Sequence, residues 1–91
     1  MSRLKGQVAF VTGAGRGIGQ AMALAFASEG TIVGVADIDP ATAKATVSQI
    51  EKNSGMARAF AIDVSRREDV LRAVDQLVSE FGRLDIIANN A

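Results

Sequence analysis

Four of the nine glycines in this 91-residue sequence fall within one octapeptide, Thr12-Gly13-Ala14-Gly15-Arg16-Gly17-Ile18-Gly19. Glycine lets a chain turn sharply and brings backbone N–H groups close to a ligand with no Cβ in the way. An apolar run, residues 7–12, leads into the turn, and a helical pattern leads out of it. The first N–H groups of a helix have no internal acceptor, and the helix dipole is positive at that end, so the combination attracts an anion. A glycine turn between a strand and a helix is the setting in which the pyrophosphate of a dinucleotide is held. The spacing is not G-x-G-x-x-G, because the sixth position counted from Gly13 is Ile18. The pattern that fits is T-G-x-x-x-G-x-G, through Thr12, Gly13, Gly17 and Gly19. Gly13, Gly15, Arg16, Gly17, Ile18 and Gly19 are therefore the candidate phosphate-side contacts. The competing reading is a glycine-rich loop with no ligand.

Asp37 follows Gly19 by 18 residues, at the end of the second apolar run. A carboxylate near this spacing accepts hydrogen bonds from the adenosine ribose hydroxyls. It also repels a 2′-phosphate, which favours NAD over NADP. Arg16 argues the other way, since a cation in the turn could meet that phosphate. Repulsion at the ribose outweighs one flexible, solvated guanidinium, so NAD is the expected cofactor and NADP the lesser one. Asp37 could instead serve only the next turn, but Asp39 fills that role better.

The elements that must position these residues alternate. Residues 7–12 and 31–36 are short apolar runs, as expected of strands buried on both faces. Between them, Ile18, Ala21, Met22, Ala25 and Phe26 recur at helical spacing, and Gly30 marks a stop. Asp39-Pro40 reads as N-cap and first position of a second helix, carried by Ala43, Val47 and Ile50 to about Asn53, with Ser54-Gly55 ending it. Residues 56–62 form a third strand pattern. Ser65 and Glu68 have the spacing of a capping box. After it, Val70, Leu71, Val74, Leu77, Val78 and Phe81 predict the face of a third helix, stopped by Gly82. Residues 84–89 complete a β-α-β-α-β-α-β order. This alternation predicts an α/β fold, a doubly wound parallel sheet of Rossmann type, with strand order 3-2-1-4 and helices on both faces.

Composition narrows the chemistry. Ten basic and ten acidic residues cancel, and no basic stripe points to nucleic acid. There is no cysteine or histidine, which removes thiolate chemistry and the commonest general base and metal ligand. The first six residues hold no apolar run long enough for a signal peptide, and no stretch reaches the roughly 20 apolar residues of a membrane helix. The expectation is a soluble, cytoplasmic protein.

The motifs together resemble the short-chain dehydrogenase/reductase family: T-G-A-G-R-G-I-G at 12–19, A-D-I-D at 36–39, D-V at 63–64 and N-N-A at 89–91. The resemblance covers the whole chain. It implies a role for Asp63 and Val64 at the adenine, with Ile38 flanking that ring. It also implies that Asn89 and Asn90 brace the sheet beside the cofactor ribose, Asn90 being the nearer contact. The family's chemistry needs a Tyr, a Lys four residues after it and a Ser. The sequence has no Tyr, and its lysines, Lys5, Lys44 and Lys52, all precede the third strand pattern. The resemblance thus implies that residues 1–91 are a dinucleotide-binding domain truncated before the catalytic half, with no metal and no catalytic residue of its own. The parent enzyme is expected to move a hydride between nicotinamide and a carbonyl or alcohol. A different class of reading is a stand-alone nucleotide-binding module that self-associates through an exposed fourth strand.

Overall fold

A computed structural model describes residues 4–90; Met1, Ser2 and Arg3 of the start and Ala91 of the final motif lie outside the described residues. Strands β1 (Val8–Thr12), β2 (Ile32–Asp37), β3 (Ala57–Ala61) and β4 (Ile86–Ala88) alternate with helices α1 (Gly17–Ser28), α2 (Pro40–Lys52) and α3 (Arg67–Phe81). All pairings are parallel and the sheet order is β3-β2-β1-β4, as the alternation predicts. Strand β1 lies inside the sheet, with Val8 opposite Ile32 on one side and Ala9 opposite Ile86 on the other. Every residue of β1 is buried, which explains its unbroken apolar run.

The two faces of the sheet carry separate cores. On one face Ala9, Val11, Val33 and Val35 pack with Ala23 of α1 and with Ala43 and Ile50 of α2. On the other, Val8, Phe10, Ala36 and Phe60 pack with Ala73 and Leu77 of α3, and Phe10 meets Phe60 edge-on at 6.0 Å. Small Ala and Val side chains allow α1 and α2 to lie close to the glycine turn on the first face. Leu77 reaches Gly34, where a Cβ would come within 2.9 Å of its Cδ2.

Four local expectations are corrected. Helix α1 does not turn Ile18, Ala21 and Ala25 inward; these are exposed, Ile18 by 75%. It buries Gly19 and Ala23, with Met22, Phe26 and Ala27 partly buried beside them. Gly19 sets this rotation, because a Cβ there would overlap the carbonyl oxygen of Gly13. In α3, Leu71 and Val78 are exposed, while Ala73 joins Leu77 in the core. Both exposed residues lie about 80–100° round the helix from Val70, off the stripe that Val70, Val74, Leu77 and Phe81 form. The capping box does not form. The Ser65 hydroxyl and amide both donate to Asp63 Oδ1, at 2.7 and 3.0 Å, so Arg66 becomes the N-cap without a side-chain capping bond. Helix α2 starts as expected, Asp39 accepting from Ala41 N with Pro40 in the first turn. The fourth strand is shorter than expected: the Asp85 amide still donates to the Val8 carbonyl, but the Asp85 carboxylate, in place of a backbone carbonyl, accepts from Val8 N, so the regular ladder runs only over Ile86–Ala88.

Candidate nucleotide site

The carboxyl ends of β1 and β2, the N-terminus of α1 and the residues after β4 converge on one groove of about 630 Å³, lined by Gly13, Arg16, Ile18, Gly19, Asp37, Ile38 and Asn90. All seven are among the cofactor contacts expected from the sequence. Gly13 and Gly17 adopt φ of 60° and 61°, in the left-handed region that glycine enters without strain. The Ala14 amide donates to the Ala36 carbonyl at 3.0 Å, tying the turn to the end of β2.

The start of α1 suits an anion. Arg16 stands at the N-cap but makes no capping bond with its side chain, and no acid occupies the first turn. Helix α2 differs, since Asp39 caps it from within. The first N–H groups of α1 therefore have no side-chain acceptor at the point where the groove opens.

Asp37 is buried, and both carboxylate oxygens accept backbone amides: Oδ2 from Gly15 at 3.0 Å and Oδ1 from Asp39 at 3.1 Å. Each oxygen keeps acceptor capacity for a further donor. The approach is tight, because a Cβ on Gly15 would lie 2.5 Å from Thr42 Oγ1 and 2.7 Å from Asp37 Oδ2. Gly15 thus backs the groove rather than lining it, and Gly17 stands exposed at the turn.

The far wall is joined to β1 through Thr12. Its hydroxyl donates to Asn89 Oδ1 at 2.9 Å and accepts from the Asn90 amide at 3.0 Å. The Asn90 side-chain amide donates to the Thr12 carbonyl at 3.3 Å. A Cβ on Gly13 would stand 3.3 Å from the Asn90 carbonyl, so turn and wall touch through backbone. Asp63 and Val64 are not among the groove residues. The two Ser65 bonds hold the Asp63 carboxyl below the ordinary carboxylate range, and Val64 lines a separate cleft with Phe10, Thr12, Ile87 and Asn89.

The sequence reading missed the buttress behind the turn. Thr46, fully buried in α2, donates to the Gly15 carbonyl at 3.4 Å and accepts from Gln20 Nε2 at 3.2 Å. A threonine one turn after Thr42 on the same helix was the available signal. It also missed Arg16 reaching Asp39, at 3.7 Å. Among the described residues no cluster of acidic groups could hold a metal, and no helix is long and apolar enough to cross a membrane.

A glycine turn uncapped at a helix start, facing a buried acid at the end of the neighbouring parallel strand, defines the class: a dinucleotide-binding β-α-β unit. Comparison with known proteins gives the family. The model of the short chain dehydrogenase family matches residues 7–91, and the chain belongs to that family. It is 43% identical over 89 residues to a D-threitol dehydrogenase of Mycolicibacterium smegmatis, covering 98% of this chain and 34% of that protein. It is 38% identical over 89 residues to the 7alpha-hydroxysteroid dehydrogenase of Escherichia coli K12, covering 98% of this chain and 35% of the relative. A crystal structure of a hydroxysteroid dehydrogenase from Escherichia coli superposes with a TM-score of 0.94 at 38% identity, over 98% of this chain and 38% of the other. A 7 alpha-hydroxysteroid dehydrogenase complexed with NADH and 7-oxo glycochenodeoxycholic acid superposes at 0.89, with 36% identity, over 93% of this chain and 33% of that one. The chain spans about a third of the length of the curated relatives it matches.

Proposed function

We propose that the chain is the cofactor-binding part of an NAD-dependent oxidoreductase, whose whole moves a hydride between nicotinamide and a carbonyl or alcohol. The uncapped start of α1 opposite buried Asp37 carries this reading. Gly13, Arg16, Gly17, Ile18 and Gly19 serve the pyrophosphate, with Gly15 shaping the turn from behind through its bond to Asp37; Asp37 serves the ribose hydroxyls, Ile38 the adenine and Asn90 the cofactor ribose. Asp63 and Val64 reach the adenine from the neighbouring turn. The complex of a relative with NADH supports the cofactor class, and Asp37 supports NAD over NADP. When bound, the nicotinamide supplies the hydride chemistry; residues 1–91 hold and orient it. The family's Tyr is not in this sequence, so residues 1–91 bind without turnover.

Calorimetric titration of the 91-residue chain tests the reading. NAD is expected to bind at least tenfold more tightly than NADP. Tighter NADP binding overturns the assignment to Asp37, and no binding of either overturns the nucleotide site. A second reading, a self-associating module, draws on Ile87, which is 64% exposed on short, apolar β4. Light scattering on the same samples decides it: a concentration-dependent dimer supports that reading, and a monomer at high concentration removes it.

A further inference from the structure

The two turns that shape the groove are stitched into a closed ring. Gly15 N donates to Asp37 Oδ2, and Asp39 N donates to Asp37 Oδ1. Asp39 Oδ1 accepts from Ala41 N at 2.9 Å, and Asp39 Oδ2 lies 3.7 Å from Arg16 Nη2. Arg16 follows Gly15 in the chain, which closes the ring. Among the described residues the charged groups lining the groove are Arg16 and Asp37, and Asp39, outside that lining, pairs with Arg16.

We propose that Asp39 is a specificity-determining positioning residue: it holds the Arg16 cation away from the ribose 2′ position and so keeps the groove selective for a nucleotide with a free 2′-hydroxyl. This rests on the nucleotide reading above. Among the described residues Arg16 is the one basic side chain lining the groove, and it is the natural partner for a 2′-phosphate. Its pairing with Asp39 sets it against the start of α2 and offsets its charge. A 2′-phosphate entering beside Asp37 then meets two carboxylates and a cation already engaged by one of them. The pair is solvent-exposed, 71% for the arginine side chain and 42% for the aspartate, so the two can be separated without opening the core.

Asp39 has two tasks, and one substitution parts them. Asparagine caps a helix as well as aspartate does, so Asp39→Asn keeps the start of α2 and removes only the charge. The experiment titrates ADP-ribose and 2′-phospho-ADP-ribose into the 91-residue chain, its Asp39→Asn variant and the Arg16→Gln/Asp39→Asn double variant, at about 0.1 M salt. The expected result is a shift of about fivefold in the ratio of the two dissociation constants, toward the 2′-phosphate, in Asp39→Asn. That factor is the scale of an exposed ion pair. The shift is lost in the double variant and shrinks at 1 M salt, while the ligand-free melting temperature of Asp39→Asn stays at the wild-type value. An unchanged ratio, or a shift that survives removal of Arg16, overturns the proposal. If the wild-type chain binds neither ligand, the nucleotide reading fails and takes this proposal with it. ADP-ribose binding with an unmoved ratio overturns only the role of Asp39.

Discussion

Replacing Asp37 by alanine removes more than a ligand contact, because the carboxylate already accepts two backbone amides. Gly15 is buried, and its N–H would lose its acceptor; an unsatisfied buried donor costs about 1–3 kcal/mol. The Asp39 amide sits at a half-exposed helix start and can turn to water, so its loss adds only about 0.5–1 kcal/mol. Relief of the buried carboxylate's own desolvation offsets part of the sum. The expected loss is about 2 kcal/mol, set against a total stability of about 5–15 kcal/mol for a domain. For a domain of this size that lowers the melting temperature by roughly 10–15 °C. The assay is a urea melt of ligand-free protein, with the midpoint falling and the slope unchanged. Asp37→Asn keeps one acceptor oxygen and should lose about half as much. An alanine variant within about 0.5 kcal/mol of wild type, with no nucleotide present, would refute the idea that Asp37 is a strut as well as a ligand residue.

Two further outcomes are expected. Gly19→Ala places a Cβ on the Gly13 carbonyl, and backbone cannot rotate aside, so the start of α1 must move. The variant should lose about 1–3 kcal/mol of stability and bind ADP-ribose at least tenfold more weakly; wild-type affinity in calorimetry would contradict the packing described. Acid unfolding should follow the carboxyls that the fold holds below their ordinary value: Asp85, through Arg83 and then Val8 N, and Asp63, through Ser65. A lowered folded pKa stabilises above the unfolded pKa, and the contribution is lost as pH falls through the folded value. The urea midpoint should therefore hold until about pH 4 and drop below it, with a shallower drop in Asp85→Asn; an identical acid limb in that variant would exclude Asp85 as a contributor.

Much of this architecture was legible in residue order. Buried strands announce themselves as apolar runs, and Asp39-Pro40 marks a helix start whatever surrounds it, which is why β1, β2 and α2 appear where the pattern puts them. Rotation of a helix about its own axis was less legible. The apolar residues of α1 fit two faces, and the choice depends on Gly19 meeting Gly13, a contact that hydrophobic periodicity ignores. Ser65 and Glu68 have the spacing of a capping box, yet Asp63 competes for the serine and wins both its donors. At the site, the glycine positions and Asp37 could be read because their chemistry follows from type and spacing. The second duties of Asp37 and Asp39, and the buttress of Thr46, arise only when two turns far apart in sequence come together; the bond from Gly15 to Asp37 spans 22 residues.

The central place of β1 has a consequence for how the molecule is made. Its first neighbour, β2, follows closely, so β1, α1, β2, α2 and β3 can assemble through contacts of modest sequence separation. Its other side waits for residues much later in the sequence: Val8 N reaches Asp85 across 77 residues, and Asn90 reaches Thr12 across 78. Closing loops of that length is entropically slow. On a ribosome, the glycine turn emerges early and is shaped early, while the wall that completes the groove emerges well after it. A nascent chain can thus hold a folded phosphate turn with no complete groove around it until residues 86–90 have emerged and docked beside β1.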